Sequence, residues 1–339
     1  MAKIIITGGC GYIGSHTIVD LIENGFEVIS IDSNVRSSES ILENIFAITG
    51  MRIKNYAVDL CDLEKLRKVF NEHSDAKGLI HFAALKSVPE SVAKPIWYYQ
   101  NNIGGLINTL QCVAEIGLPN FIFSSSCSVY GNSKELPVTE STPLGLAESP
   151  YATGKQMAER IIQDFIIANP NLSAVLLRYF NPGGAHISGK LGEIPQAGAY
   201  NLVPILMETM LGIRPELTVF GADYDTRDGT CIRDYIHIMD LADAHTKCLQ
   251  YLLASKNEAA CEIFNVGIGE GVTVLEAIKA TEKAVGKPLP HVLGPRRAGD
   301  VVAIYANYNR AAARLGWKPQ YNIDDIMASA WAWEQQKNK

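Results

Sequence analysis

Ile4-Ile5-Ile6-Thr7-Gly8-Gly9-Cys10-Gly11-Tyr12-Ile13-Gly14 is the stretch on which the fold turns. An apolar, β-branched run ends in a glycine cluster, after which Ile13, Thr17, Leu21 and Ile22 recur at helical spacing; this is the pattern of strand, tight turn and helix. The glycines read as G-x-G-x-x-G from Gly9 and also stand three apart at Gly8, Gly11 and Gly14. On either reading, a side chain at these turn positions would hold backbone N–H groups away from a pyrophosphate lying at the positive end of the next helix. Gly14 lets that helix pack closely on the sheet. A glycine motif alone is weak evidence, because glycine turns are common punctuation. Here it follows a strand, opens a helix, and precedes by 18 residues, counted from Gly14, an aspartate that ends the next strand, Asp32. Together these features read as a dinucleotide site.

Asp32 is placed to accept hydrogen bonds from adenosine ribose hydroxyls, and its charge would repel the 2′-phosphate of NADP, so NAD is favoured. Arg36 is either the arginine that would neutralise such a phosphate or a solvated surface residue. Asp59, at the end of the third strand, either caps the following segment or accepts from the adenine amine.

Outward from the glycine turn, strands are expected at 2–7, 26–31, 52–58, 78–82 and 120–124, with helices between them, including 102–116 and 151–168. Such alternation demands right-handed crossovers covering both faces, so the class is α/β with a doubly wound parallel (Rossmann-type) sheet. After Tyr179-Phe180-Asn181-Pro182-Gly183-Gly184 the pattern loosens into a Gly- and Pro-rich stretch reaching Pro204. The boundary is placed there, between a dinucleotide-binding domain at 1–180 and a smaller mixed α/β substrate-binding domain at 181–339, with some exchange of chain between the lobes. In the second domain, short strands are expected at 218–220, 233–237 and 263–266, and helices near 240–253, 273–285 and 323–333. A length of 339 residues suits two domains better than one core.

The composition, 47% apolar and 19% charged, is that of an ordinary globular protein. No apolar run reaches membrane length and no signal peptide precedes Ile4, so no membrane partner and a cytoplasmic location are expected. Seven cysteines without a C-x-x-C pair read as reduced thiols, and seven histidines without ligand spacing predict no bound metal. A net charge of −6 argues against a nucleic-acid surface and requires local arginines to meet any anionic ligand.

Ser149-Pro150-Tyr151-Ala152-Thr153-Gly154-Lys155 puts Tyr151 and Lys155 at i and i+4 in the first turns of a helix opened by Ser-Pro. With an unperturbed pKa of about 10, a tyrosine is a poor base at neutral pH unless a neighbouring ammonium and an oxidised nicotinamide stabilise its phenolate. The pair alone is as readily an exposed contact. Phe121-Ile122-Phe123, however, runs into Ser124-Ser125-Ser126, placing hydroxyls at the carboxyl end of a central strand, where open α/β sheets bind ligands. Ser126 could hydrogen-bond a substrate hydroxyl. Serine, tyrosine and lysine together in a dinucleotide fold make a coherent hydride-transfer site.

With these residues the sequence resembles the extended short-chain dehydrogenase/reductase superfamily and, within it, the nucleotide-sugar epimerases. The resemblance rests on Thr7 to His16, His81-Phe82-Ala83-Ala84-Leu85-Lys86, Ser124-Ser125-Ser126, Val129-Tyr130-Gly131 and Leu177 to Pro182. In the second half it rests on Asn201-Leu202-x-Pro204, Arg233 to His237 and Pro295-Arg296-Arg297-x-Gly299-Asp300. It implies NAD contacts from Gly8, Gly11, Tyr12, Ile13, Gly14, Asp32 and Asn34, then from Asp59, Leu60, Phe82, Ala83, Lys86 and Asn101, and finally from Ser124, Tyr151, Lys155 and Phe180. For a UDP-sugar it implies Asn181, Asn201, Leu202, Phe220, Arg233, Arg297 and Asp300, with Ser126 and Tyr151 at the sugar. Arginines suit a diphosphate because a guanidinium bonds it in bidentate fashion, whereas Asp300 suits ribose hydroxyls.

The implied reaction interconverts UDP-galactose and UDP-glucose through a 4-keto sugar, with tightly bound NAD regenerated in each turnover. Ile304, four residues after Asp300, would border the space near C2. It is smaller than the tyrosine of enzymes restricted to glucose and galactose, yet bulkier than the small residues of wider pockets, so N-acetylated UDP-sugars stay open. A homodimer through a four-helix bundle of 102–116 and 151–168 is also implied. The alternatives are another UDP-sugar-modifying member, such as a dehydratase, a net reductase, or a non-catalytic NAD-binding regulator. The dehydratase would need carboxylates where Cys127-Ser128 stand, and intact Ser126, Tyr151 and Lys155 count against the regulator.

Overall fold

A computed structural model describes residues 1–195, 198–297 and 300–337. Gly299 of the Arg-Arg-x-Gly-Asp motif lies outside the described residues. The first half carries strands β1 (Lys3–Thr7), β2 (Glu27–Ile31), β3 (Lys54–Tyr56), β4 (Gly78–His81), β5 (Asn120–Ser124) and β6 (Ser173–Tyr179). Between them run helices α1 (Tyr12–Glu23), α2 (Ser40–Thr49), α3 (Leu63–Glu72), α4 (Val88–Ala93), α5 (Pro95–Tyr99), α6 (Gly105–Ile116) and α7 (Pro150–Ala168). The second half adds β7 (Asn181–Gly183), β8 (Leu217–Phe220), β9 (Ile232–Arg233), β10 (Tyr235–His237), β11 (Cys261–Val266), β12 (Val272–Thr273), β13 (His291–Gly294) and β14 (Ala303–Ile304). Its helices are α8 (Leu202–Met210), α9 (Ile238–Leu253), α10 (Val274–Val285), α11 (Asn309–Leu315) and α12 (Ile323–Lys337).

Seven parallel strands form one sheet in the order β11-β6-β5-β4-β1-β2-β3. The chain winds outward from β1 through β2 to β3, then returns to place β4 on the other side of β1. The order therefore reverses between β1 and β4, where doubly wound sheets open a ligand crevice at their carboxyl ends. Alternate residues serve the two faces. Ile4, Ile6, Ile80, Ile122 and Val175 pack under one helical layer with Ile18 and Val19 of α1 and Leu241 and Leu249 of α9. Ile5, Leu79, Phe121, Ala174 and Leu176 pack under the other, with Leu66 of α3, Leu106 of α6 and Ile162 of α7. Burial on both faces makes these strands continuous apolar runs rather than alternating ones.

Two departures from the sequence reading concern the sheet's edge. The segment Ser173–Tyr179, for which no strand is expected, is the seven-residue β6, paired on both sides and next to the edge strand. The strand expected at 263–266 in the second domain is β11, which pairs with β6 in the large sheet. Helix α9 also packs on that sheet, against β5, β6 and α1. Without it, one face of β5 and β6 would stay uncovered.

The strand expected at 233–237 is interrupted at Asp234. The buried Asp234 carboxylate accepts from the backbone N–H groups of Ile268, Gly269 and Ala306. On either side the chain joins different sheets: β9 pairs with β12 and β14, and β10 pairs with β7. The strand expected at 52–58 shortens to β3, and the helix expected from 102 begins with a π turn over Gln100–Gly104. Helices α8, α10 and α12 close a separate cluster around Val203, Leu206, Ile278 and Ile326.

Candidate active site

A cleft of about 1710 Å³, its open mouth included, follows the carboxyl ends of β1, β2, β4 and β5. Its floor is the glycine turn. Gly8 has φ +76, and a Cβ there would lie 2.7 Å from the Ala83 nitrogen; one on Gly14 would strike the Gly8 carbonyl. Gly11 caps α1 without a side-chain hydrogen bond, so the first N–H groups of that helix keep no internal acceptor and border the cleft through Gly11, Tyr12, Ile13 and Gly14. Such a cradle fits the diphosphate of a dinucleotide.

Asp32 lines the cleft beside it, its carboxylate positioned by Cys10 N at 3.0 Å, Asn34 N at 2.9 Å and Ser37 Oγ at 2.7 Å. Asn34 supports Asp32 through its backbone, at φ 59, and is not among the lining residues. Arg36 is bound to Glu90 at 2.6 Å and lies over the Trp97 ring, so its charge is already partnered. The cap of α3 is Asp62, which accepts from Lys65 N. Asp59 accepts from Cys61 N and borders the cleft with Leu60, Phe82 and Ala83. Asn101, carried by the π turn, also lines it and donates to Asn102, whose side chain grips both backbone groups of Leu85.

The opposite wall comes from the second half of the chain. Lys86 pairs with Glu193 at 2.6 Å, and Glu193 also accepts from the Asn201 amide at 3.4 Å. The Tyr12 hydroxyl donates to the Gly184 carbonyl at 2.6 Å, tying the glycine turn to that wall. Glu193 is a cleft residue that the sequence reading missed, since an isolated glutamate in a Gly- and Pro-rich stretch carries no local signal.

At the inner end stand Tyr151 and Lys155. Ser149 caps α7 by accepting from Ala152 N, and Pro150 occupies the first turn, so both side chains leave the helix on one face. The buried Lys155 ammonium donates to the Ser124 carbonyl at 2.6 Å and lies 4.7 Å from the Phe123 ring centroid and 5.9 Å from that of Tyr151. Burial lowers Lys155 to about 8. Burial likewise pushes the Tyr151 hydroxyl well above the usual tyrosine value, and a hydrogen bond with Ser126 pulls the other way. Ser126 caps the short turn Cys127–Tyr130, accepting from Ser128 N at 3.2 Å. The Ser124 hydroxyl donates to that of Tyr179, a further cleft residue that the sequence reading quoted in a motif without assigning it.

Of the residues expected at a UDP-sugar, only Asn201 and Tyr151 line this cleft. Leu202 opens α8 and packs on its cluster. Asn181 is held in β7 by its N–H to the Asp234 carbonyl. Phe180 is buried with Val129, Tyr130 and Ile304. Arg233 sits opposite Ile304 across β9 and β14 and donates to the carbonyls of Ile232 and Val301. Arg297 binds Asp300 at 2.7 Å and lies over the Phe220 ring, which gathers those three in one place. Arg296 instead pairs with Asp223 over Tyr224. Cys127, next to Ser126, lies within electrostatic reach of both Arg233 and Tyr151 and so links the two groups. Among the described residues no cluster of His, Cys, Asp and Glu could hold a metal.

Comparison with known proteins places this geometry. A family model described as GDP-mannose 4,6 dehydratase matches residues 5–330. A UDP-glucose 4-epimerase of Neisseria meningitidis is 44% identical over 333 residues, 98% of this chain and 97% of that protein. The crystal structure of UDP-glucose 4-epimerase from Bifidobacterium longum in complex with NAD+ and UDP superposes with a TM-score of 0.95 at 44% identity, covering 99% of each chain. That of the Stenotrophomonas maltophila UDP-glucose-4-epimerase, with bound NAD and formylated UDP-arabinopyranose, gives 0.96 at 38% identity over 100% of this chain and 99% of the other.

Proposed function

The chain belongs to the nucleotide-sugar epimerase and dehydratase family of the extended short-chain dehydrogenases/reductases, and on that premise we propose that it is an isomerase that interconverts UDP-galactose and UDP-glucose with NAD held throughout. The observation that carries the reading is Tyr151 beside Ser126 and one helical turn from the buried Lys155, on a cleft floored by glycines. Where a dehydratase would need carboxylates beside Ser126, this chain has Cys127 and Ser128.

When bound, NAD would accept a hydride from C4 of the sugar and return it. The protein's share is proton transfer and positioning. Lys155, charged at neutral pH with a pKa of about 8, offsets the burial that otherwise keeps Tyr151 protonated. Tyr151 takes the proton of the sugar 4-hydroxyl along the Ser126 hydrogen bond, then gives it back after C4 has inverted. Inversion requires the 4-keto sugar to turn while its uridine end stays fixed. The tether we propose is Asn181, Asn201, Arg233, Arg297 and Asp300, with Leu202 and Phe220 against the base; Arg297 would exchange its Asp300 contact for phosphate, leaving the carboxylate for ribose.

In this reading residues 1–180 hold the dinucleotide and 181–339, apart from α9 and β11, hold the UDP-sugar. Ile304, buried beside Phe180, is shorter than a tyrosine, so the N-acetylated UDP-sugars belong in the same assay. Homodimerisation through α6 and α7 is supported by exposed Ile107 and Met157 on those helices. A cytoplasmic location accords with seven unpaired cysteines. Purified protein given UDP-galactose and no added cofactor should form UDP-glucose; failure to do so, with NAD present in the protein, would overturn the reading.

A further inference from the structure

Behind the Tyr151 and Lys155 pair lies a buried charge cluster that the mechanism above does not use. Glu159, one helical turn after Lys155 on α7, is 2% exposed. Arg178, on β6 and 3% exposed, grips it with both arms of the guanidinium, Nε at 2.9 Å and a terminal nitrogen at 2.6 Å. The Ser125 hydroxyl donates to the same carboxylate at 2.5 Å. Arg178 also donates to the Tyr130 hydroxyl, which donates in turn to Asn265 on β11. Ser125, just past β5, and Arg178 of β6 thus meet on one carboxylate, and Tyr130 of the short turn and Asn265 of β11 extend the network behind Arg178.

Burying an ion pair is costly, and an apolar pair of the same volume is often as stable. Ser125, which holds Glu159, is the residue next to the Ser124 carbonyl that holds Lys155. Resting on the hydride-site reading above, we propose that Glu159 is a positioning residue: fixed by Arg178 and Ser125, its carboxylate keeps the neighbouring Lys155 ammonium charged and seated on the Ser124 carbonyl beneath Tyr151.

The other groups around Lys155 do not supply that charge. His81 on β4, whose ring meets the Thr7 hydroxyl, is lowered by burial, and by Lys155 itself, to about 3 and stays neutral. Phe123 on β5 offers a ring and Ser124 a carbonyl. Tyr151 is the group to be ionised. Cys261 on β11, near Glu159, is pushed by burial up to about 12, as is Tyr130, and both are neutral. Glu159 is the anion whose attraction opposes the burial of Lys155.

The test is the pH profile of kcat/KM for UDP-galactose in the NAD-loaded protein, where loss of the Lys155 proton sets the alkaline limb. Glu159→Gln should move that limb down by roughly one pH unit, about a tenfold loss at a fixed pH on the limb. Glu159→Asp should restore part of the shift, and Ser125→Ala, which loosens the carboxylate but keeps both charges and the Arg178 grip, should move the limb by less than Glu159→Gln does. A limb unmoved in folded Glu159→Gln overturns the proposal and leaves Glu159 a structural anchor. If that variant does not fold because Arg178 is left unpaired, the double variant Glu159→Gln, Arg178→Gln carries the test: its limb should also move down, and an unmoved one overturns the proposal. An inactive parent protein would instead sink the proposed function, whereas an active parent with an unmoved limb sinks only this inference.

Discussion

Tyr151 shows how the role proposed for a common residue pair depends on its neighbours. Burial raises its hydroxyl far above neutrality, which alone would make it inert. In the proposed mechanism this is opposed by neighbours from two elements: Lys155 from the same helix, and, from the end of β5, Ser126 and the Ser124 carbonyl that fixes the ammonium. Replacing Tyr151 by Phe removes the proposed proton acceptor without touching the glycine floor or Asp32. The variant should retain NAD, measured by absorbance after denaturation, while kcat falls by at least about a hundredfold; near-normal turnover would exclude Tyr151 from proton transfer. The charged residues Arg36 and Lys86 have a different lesson. Each is already paired, with Glu90 and Glu193, so a free cation in the sequence is a bound one in the fold.

At the scale of elements, the turn between β1 and α1 is legible because backbone sterics act locally: Gly8 needs a positive φ and Gly14 has no room for a Cβ, whatever the rest of the chain does. Helices α6 and α7 are legible by period. Their outer faces, with Ile107 and Met157 exposed, raise the question of what covers them. The dimer proposed above answers it, and light scattering should give twice the chain mass for the parent protein. Ile107→Glu combined with Met157→Glu should give the single mass, since two buried, unpaired charges per chain would oppose association. A parent protein of single mass would remove the bundle.

The whole molecule responds to acid through its buried histidines. Burial lowers His16 and His81 to about 3 and His237 and His245 to about 4, whereas an unfolded histidine titrates near 6.5. The unfolded chain therefore binds more protons below about 6.5, and the stability these residues contribute, complete above that value, is lost as pH falls toward about 3. Asp20, Asp234 and Asp240 act in the opposite sense. Burial raises each to about 6, so the folded chain takes up their protons first and gains stability as pH falls below that value. The four histidines are shifted further than the three aspartates, so the balance is a loss. The thermal midpoint, followed by calorimetry, should drop between about pH 7 and pH 5; a constant or rising midpoint would contradict this.

Features that depend on neighbours in the chain can be read from the residues alone: strand, glycine turn and helix at the amino terminus, the alternation that makes the sheet parallel, Asp32 at the second strand's end, and Tyr151 with Lys155 one turn apart. Even so, β6 went unread, because Ala174 to Leu177 form a short apolar run with neither period, and such a run becomes a strand only when neighbours on both sides supply hydrogen bonds. The folded chain was needed to see that β11 and α9 cross back to complete the large sheet, that Glu193 and Asn201 line the same cleft as Asp32, and that Glu159 and Arg178 close a charge pair behind Lys155. Each of these joins residues far apart in the chain, and no local spacing encodes such a meeting. It follows from which apolar faces find each other when the two halves fold together, and that choice is made by burial of the whole core rather than by any one segment.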